Sequence, residues 1–307
     1  MKKRDLVALW DYTPEELAAL LELAAKVKKH PAAYADALKG RTAFLYFEKP
    51  SLRTRVTSEV GMTQLGGGSL TQTPEMGRIG VRESVHDVAK NLERWVDVIA
   101  MRTFSHQLIE DVAKHARVPV INLLSDLLHP MQALADLLTL KEHFGRLKGL
   151  KLAFVGDGNN VAHSLMVGGA LSQMKVVVVG PRGHEPNARV LDRARAIAAK
   201  TGGEVGYTAD VNAGLKGADA VYTDVWASMG QEKEAAERQK LFWPYRVDGA
   251  LFRKAKPTAV FMHCLPAHRG EEVTDEVCDH ERSVIFDEAE NRLHTIKAAY
   301  LALMKGL

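Results

Sequence analysis

Thr42-Ala43-Phe44-Leu45-Tyr46-Phe47-Glu48-Lys49-Pro50-Ser51-Leu52-Arg53-Thr54-Arg55 is the stretch on which the reading of this chain turns. Residues 42–47 form an unbroken apolar run of strand length, and Glu48-Lys49-Pro50 ends it. Arg53 to Leu65 then reads as a helix. A strand, a turn and a helix N-terminus therefore follow one another. Unpaired backbone N–H groups and the positive end of the helix dipole gather at such a joint. Here the sequence adds two hydroxyls and two guanidiniums, which suit a phosphate dianion. The same run also fits an N-cap serine followed by surface arginines.

The same alternation continues on both sides. Thr13-Pro14-Glu15-Glu16 opens a first helix, with a capping box between Thr13 and Glu16 and proline at the first helical position. Strands are expected at Thr42–Phe47, Val98–Met101, Val118–Leu123, Lys151–Val155, Lys175–Val179, Glu204–Tyr207, Ala220–Thr223, Ala259–His263 and Ser283–Phe286. These runs are nearly continuous rather than alternating, as in parallel strands covered on both faces. The fold class is therefore α/β, with two domains, each a parallel sheet covered by helices on both faces. Gln132 to Phe144 reads as a long helix, and Gly145-Arg146-Leu147-Lys148-Gly149 breaks it. The domains are accordingly placed at 1–145 and 146–289, followed by a last helix from Asn291 to Met304.

Composition narrows the class of function. The chain has 307 residues, enough for two domains of ordinary size, and its 46% apolar and 26% charged content is that of a globular protein. A net charge of +3 is too small to imply nucleic acid or a membrane surface, yet suits small anionic substrates if arginines converge. No apolar run of signal-peptide length follows the basic start at Met1-Lys2-Lys3-Arg4, and none reaches the roughly 18 residues of a membrane span. Two cysteines, Cys264 and Cys278, are too few for a disulfide framework. The expected location is a reducing cytoplasm.

Open α/β sheets bind ligands at the carboxyl ends of their strands. Polar residues cluster after the expected strand ends: Arg102, His129-Pro130-Met131-Gln132, Gly156-Asp157-Gly158-Asn159-Asn160, Asp224 with Ser228-Met229-Gly230, and His263-Cys264-Leu265-Pro266. Gly156-Asp157-Gly158 resembles the start of a dinucleotide fingerprint, but Val161 stands at the third glycine position. The next strand also ends in Gly180-Pro181 rather than an acidic residue. His263, Cys264, His268, Cys278 and His280 cluster in sequence, but their spacings fit no familiar zinc arrangement. A nucleophilic Cys264 with His129 or His263 as base remains a further option.

Taken in order, several separated motifs resemble those of the aspartate/ornithine carbamoyltransferase family, in its ornithine-using form. They are residues 47–55, His129-Pro130-Met131-Gln132, Val155-Gly156-Asp157-Gly158-Asn159-Asn160, Asp224-Val225-Trp226-Ala227-Ser228-Met229-Gly230, His263-Cys264-Leu265-Pro266 and Glu290-Asn291-Arg292-Leu293. The resemblance implies a carbamoyl-phosphate domain, an ornithine domain, a C-terminal helix (290–307) returning to the first domain, and a homotrimer. It implies that Ser51, Leu52 through its backbone, Arg53 and Thr54 hold the phosphate of carbamoyl phosphate. Arg102 would bridge phosphate and carbonyl oxygen, His129 would donate to that oxygen, and Gln132 would hold the carbamoyl amide. Arg292 would lie near the same oxygen, with Cys264 and Leu265 completing the pocket beside the reacting δ-amine. Asn160, Asp224, Ser228 and Met229 would grip the α-amino and α-carboxylate groups of ornithine. No metal or organic cofactor is required, and Cys264 is not a covalent nucleophile on this reading.

An α-ammonium needs a carboxylate partner, which Asp224 supplies, so ornithine leads over aspartate, putrescine and N-acetylornithine as acceptor. Carbamoyl transfer to another amine and a non-catalytic relative that binds an anionic metabolite are the alternatives. A mere binder has no need of groups that recognise a transition state. Three positions depart from the family pattern, one of them Ile296, where glutamine is frequent. Arg78 stands where glutamine is usual, in a loop that reaches a neighbouring subunit in the family, and Leu52 replaces a frequent threonine.

Overall fold

A computed structural model describes residues 4–227 and 234–306. The chain divides into two compact units, Met1–Leu138 with Glu290–Leu307, and Thr139–Ala289. The first contains α1 (Pro14–Lys29), β1 (Thr42–Phe47), α2 (Leu52–Gln64), β2 (Gly68–Gln72), α3 (Val85–Leu92), β3 (Val98–Arg102), α4 (His106–His115) and β4 (Val120–Leu124). Next comes α5 (Pro130–Phe144), within which the chain passes into the second unit. There follow β5 (Lys151–Val155), α6 (Asn160–Leu171), β6 (Lys175–Val179), α7 (Ala188–Thr201), β7 (Glu204–Thr208), α8 (Val211–Leu215) and β8 (Ala220–Thr223). The unit continues with α9 (Ala235–Phe242), α10 (Gly249–Phe252), β9 (Val260–His263) and α11 (Asp275–Cys278). The last helix, α12 (Ile285–Leu301), begins in the second unit and ends in the first.

Both sheets are parallel throughout, in the orders β2-β1-β3-β4 and β7-β6-β5-β8-β9. Every residue of β3, β4, β8 and β9 is buried. Successive strand side chains point to opposite faces, so complete burial means that both faces are covered. The capping box of α1 forms as expected: Glu16 N donates to Thr13 Oγ1 (3.2 Å) and Thr13 N to Glu16 Oε2 (2.8 Å). Such caps are worth about 1 kcal/mol. From Asn291 onward, α12 packs closely in the first unit. Lys28 Nζ donates to Asn291 Oδ1 (2.9 Å), Lys297 Nζ to Gln64 Oε1 (2.9 Å), and a Cβ on Gly61 would lie 3.1 Å from Ile296.

Two expectations need correction. Ser283–Phe286 is not a strand: Ser283 makes a single bridge to Phe261, and helix α12 begins at Ile285. A short apolar run does not by itself separate strand from helix, and Asp287 and Glu288 at the helix start favour the latter. Conversely, β2 went unread because Gly68-Ser69-Leu70-Thr71-Gln72 is polar, glycine-led and confined to the sheet edge. Among the described residues no helix is long and apolar enough to cross a membrane.

Candidate active site

In the first unit the chain runs from β1 outward to β2 and then returns to β3 on the other side of β1. That reversal places a crevice at the carboxyl ends of β1 and β3, where open α/β sheets take ligands. Phe47 pairs with Arg102 across it. Ser51 caps α2, its Oγ accepting from Thr54 N at 3.3 Å. Leu52 is 75% exposed, so it offers this spot its backbone N–H rather than its side chain. The two guanidiniums of the motif diverge. Arg55 pairs with Glu59 at 3.0 Å on the exposed side of α2, whereas Arg53 acts on His129. Of these two arginines, Arg53 is the one that acts on the buried imidazole, while Arg55 lines the outer cavity beside Ser51 and Glu59.

Between Met101 and Arg102 the β3–β4 register shifts. Such irregularities re-aim a side chain at the end of a strand, and Arg102 is buried there. His129 stands immediately before Pro130 at the start of α5 and accepts from Gln132 N and Ala133 N through its carbonyl. Burial, and then the guanidiniums of Arg292, Arg102 and Arg53, hold the His129 imidazole well below its ordinary value. It is therefore neutral at neutral pH and keeps one N–H to donate.

Arg292, on α12, donates from Nη1 to Gln132 Oε1 and from Nη2 to Thr54 Oγ1 (3.1 Å). Gln132 in turn donates from Nε2 to Asp136 Oδ1 (2.8 Å). Ser51, Arg53, Thr54, Arg102, His129, Gln132 and Arg292 thus belong to one connected set within the first unit, with Leu52 following Ser51 at the start of α2.

The state of His129 has a consequence for stability. Its unfolded imidazole takes up a proton near pH ~6.5, but the folded one resists until lower pH. Between those values the unfolded state binds more protons, so stability is fully present above about pH 6.5 and falls as the pH drops through it. Urea midpoints measured from pH 7.5 down to about 5 should fall less steeply in His129→Gln than in the native protein. A remaining slope is expected from His106 and His294, which burial also holds low. Equal slopes in the two proteins would contradict this account of His129.

The second unit has its own switch point, between β5 and β8. Asp224, just past β8, is buried. Its Oδ2 accepts from Asn159 Nδ2 (2.8 Å), and its Oδ1 from Val225 N (2.8 Å) and Cys264 Sγ (3.0 Å). Cys264 therefore stands as a thiol donor to a carboxylate. His263 cannot activate it, because its Nδ1 accepts from Leu265 N (2.8 Å) and its Nε2 lies 3.2 Å from Glu272 Oε1. Asp224, His263 and Cys264 also approach closely enough to hold an ion, but that same pairing leaves neither ring nitrogen of His263 to ligate one.

Leu265 adopts a φ of +57°, uncommon for a residue with a Cβ, and its N–H bond to His263 holds it there. Asn160 is the first residue of α6. Ser228 and Met229 lie outside the described residues.

The glycines after β5 serve the chain itself. Gly158 N donates to His184 O (3.0 Å), and a Cβ on Gly158 would lie 2.3 Å from Pro186 N. Asp157 is held by His184 (3.2 Å) and by Arg238. A dinucleotide pyrophosphate needs the room that this segment fills.

Two participants were not singled out by sequence reasoning. Asn159 caps α6 by accepting from Val161 N (3.0 Å) and Ala162 N (3.1 Å), while its amide nitrogen orients Asp224. An asparagine directly before an apolar helix was the available signal. Asp136 lies four residues beyond Gln132, hence on the same face of α5. An acidic residue at that spacing inside an apolar helix was its only trace.

Comparison with known proteins follows the same division. Residues 4–142 match the family model for the aspartate/ornithine carbamoyltransferase carbamoyl-P binding domain, and residues 148–303 match that for the Asp/Orn binding domain. An ornithine carbamoyltransferase from Pyrococcus abyssi is 50% identical over 309 residues, covering 100% of this chain and 98% of the relative. A relative from Pyrococcus furiosus, named ornithine carbamoyltransferase, anabolic, is 49% identical over 306 residues, covering 99% and 97%. The solved structure of ornithine carbamoyltransferase from Pyrococcus furiosus superposes with a TM-score of 0.96 at 50% identity, covering 99% of this chain and 98% of that one. With both family models matched in order and such relatives aligned from end to end, the chain belongs to the aspartate/ornithine carbamoyltransferase family.

Proposed function

We propose that this protein is an ornithine carbamoyltransferase of arginine biosynthesis. It moves the carbamoyl group of carbamoyl phosphate to the δ-amine of L-ornithine, giving L-citrulline and phosphate. The observation that carries this reading is the buried His129, whose neutral imidazole feels the guanidiniums of Arg292, Arg102 and Arg53 in the same unit as the capped start of α2. Together these groups offer a dianion fixed N–H groups, hydroxyls and guanidiniums.

The roles then follow from the chemistry. Ser51, the Leu52 N–H, Arg53 and Thr54 hold the phosphate, and Arg102 spans phosphate and carbonyl oxygen. His129 donates to that oxygen, Gln132 holds the carbamoyl amide, and Arg292 stands near the oxygen. Asp224 and Asn160 meet the α-substituents of ornithine together with Ser228 and Met229. The neutral δ-amine attacks the carbonyl carbon and a tetrahedral oxyanion forms. The bond from carbon to the phosphate oxygen then breaks, and the amine passes a proton to the leaving phosphate. Fixed positive charge stabilises both the oxyanion and the leaving phosphate. Cys264 and Leu265 lie beside the amine without covalent chemistry. The resemblance further supports a trimeric assembly in the cytoplasm.

The decisive assay is citrulline formation from carbamoyl phosphate, with ornithine, N-acetylornithine, putrescine and aspartate compared as acceptors. Strong preference for ornithine is the expected result. Activity only with another amine would overturn the role given to Asp224, and no activity with any acceptor would overturn the enzyme reading.

A further inference from the structure

Resting on that reading, the structure assigns a positioning role to Asp136, a residue outside the set that meets substrate. We infer that it anchors a buried hydrogen-bond relay, Asp136–Gln132–Arg292–Thr54, which leaves the Thr54 hydroxyl proton pointed at the phosphate. The relay joins α5, α12 and α2. All four residues are nearly or fully inaccessible: Asp136 at 0%, Gln132 at 1%, Thr54 at 2% and Arg292 at 4% exposure.

The direction is forced by what each group can do. An ionised carboxylate only accepts and a guanidinium only donates. Gln132 stands between them, its Nε2 donating to Asp136 Oδ1 at 2.8 Å and its Oε1 accepting from Arg292 Nη1. A flipped amide would set its NH2 against the guanidinium and its oxygen against the carboxylate, so only one orientation is compatible with both ends. Arg292 is thereby held with Nη2 donating to Thr54 Oγ1 at 3.1 Å. A hydroxyl that accepts from a guanidinium turns its own proton elsewhere. Thr54 sits one turn into α2, and its N–H already goes to Ser51 Oγ. Its hydroxyl proton is thus the donor left for the anion bound at that helix start. The carboxylate at the far end of the relay acts on the phosphate through three intervening hydrogen bonds.

Asp136→Asn tests this. The replacement is nearly isosteric, but its neutral amide oxygen is a weaker acceptor than a carboxylate, so Gln132 is held less firmly against Arg292. The expected result is a KM for carbamoyl phosphate raised about tenfold, with KM for ornithine within about twofold of the native value, as for one charge-assisted bond made neutral. In a Thr54→Val background the same substitution should change KM for carbamoyl phosphate by less than about twofold, because residues in one network couple. A purely structural residue would lower thermal stability without this split between substrates and without the coupling. Asp136→Leu, which removes the buried charge with an apolar residue of similar volume, is the second variant should the first not fold.

An unchanged KM for carbamoyl phosphate in a folded variant, or full additivity with Thr54→Val, would overturn the inference. Absence of citrulline formation by the native protein would instead overturn the function on which it rests, so the two failures are distinguishable.

Discussion

Arg53→Ala is expected to lower kcat/KM for carbamoyl phosphate about 10²–10³-fold while leaving KM for ornithine within about twofold. The size follows from the loss of two charge-assisted hydrogen bonds to phosphate, together about 3–4 kcal/mol, at 1.36 kcal/mol per decade of rate. The neighbouring Arg55→Ala is the control. Arg55 spends its guanidinium on Glu59 at the exposed side of α2, so its loss should remove only an exposed ion pair of about 0.3–0.5 kcal/mol. A second effect separates the two arginines. Arg53 contributes to the positive field that keeps His129 deprotonated, so its removal should raise the imidazole value, although burial remains the larger cause. NMR titration of the His129 ring in both variants measures this directly. Equal kinetic losses for Arg53→Ala and Arg55→Ala would refute the division of labour within the motif.

Asp224→Ala should act on the other substrate. The expected result is a drop in kcat/KM for ornithine of about 10²–10⁴-fold, with KM for carbamoyl phosphate nearly unchanged, since a buried charged partner is worth roughly 3–5 kcal/mol when removed alone. Asp224 also organises its surroundings, accepting from Asn159, Val225 N and Cys264. The alanine variant therefore removes one acceptor from the Cys264 thiol and one from the Asn159 amide. Asn159→Ala should reproduce part of the ornithine defect, and should in addition lose the cap of α6, about 1 kcal/mol of stability. Steady-state kinetics with each substrate varied in turn, beside urea unfolding, separate these contributions. Near-normal turnover of ornithine by Asp224→Ala would remove the acceptor site from this loop.

Much of this was legible along the chain, for local reasons. The strand, break and helix at residues 42–65 are set by an apolar run, a proline and an N-cap, all short-range properties. The capping box at Thr13 and Glu16 is equally local, and both of its bonds form. Where the local signal was ambiguous, the reading failed. Val284-Ile285-Phe286 suits either strand or helix, and the helix prevails. Gly68–Gln72 has a single large apolar residue and pairs at the sheet edge because β1 presents it with unpaired backbone groups, not because its side chains demand it.

The chain's residue types and their spacing were enough to establish the α/β class, the two parallel sheets and the kinds of group offered after each strand. Periodicity, caps and breakers act over a few residues, and they survive in a linear reading. Strand order does not. That β1 lies between β2 and β3, and β5 between β6 and β8, depends on contacts between residues far apart in sequence. Only that order makes the strand ends after β1 and β3, and those after β5 and β8, into crevices. The same holds for side-chain direction. Arg53 and Arg55 are two residues apart and look equivalent in sequence, yet a helix turns them to different sides. Asp136, 156 positions before Arg292 by number (292 − 136), is joined to it through Gln132 only because α12 returns to the first unit. A hydrogen bond needs atoms within about 3 Å, and tertiary packing alone decides which distant donors and acceptors come that close.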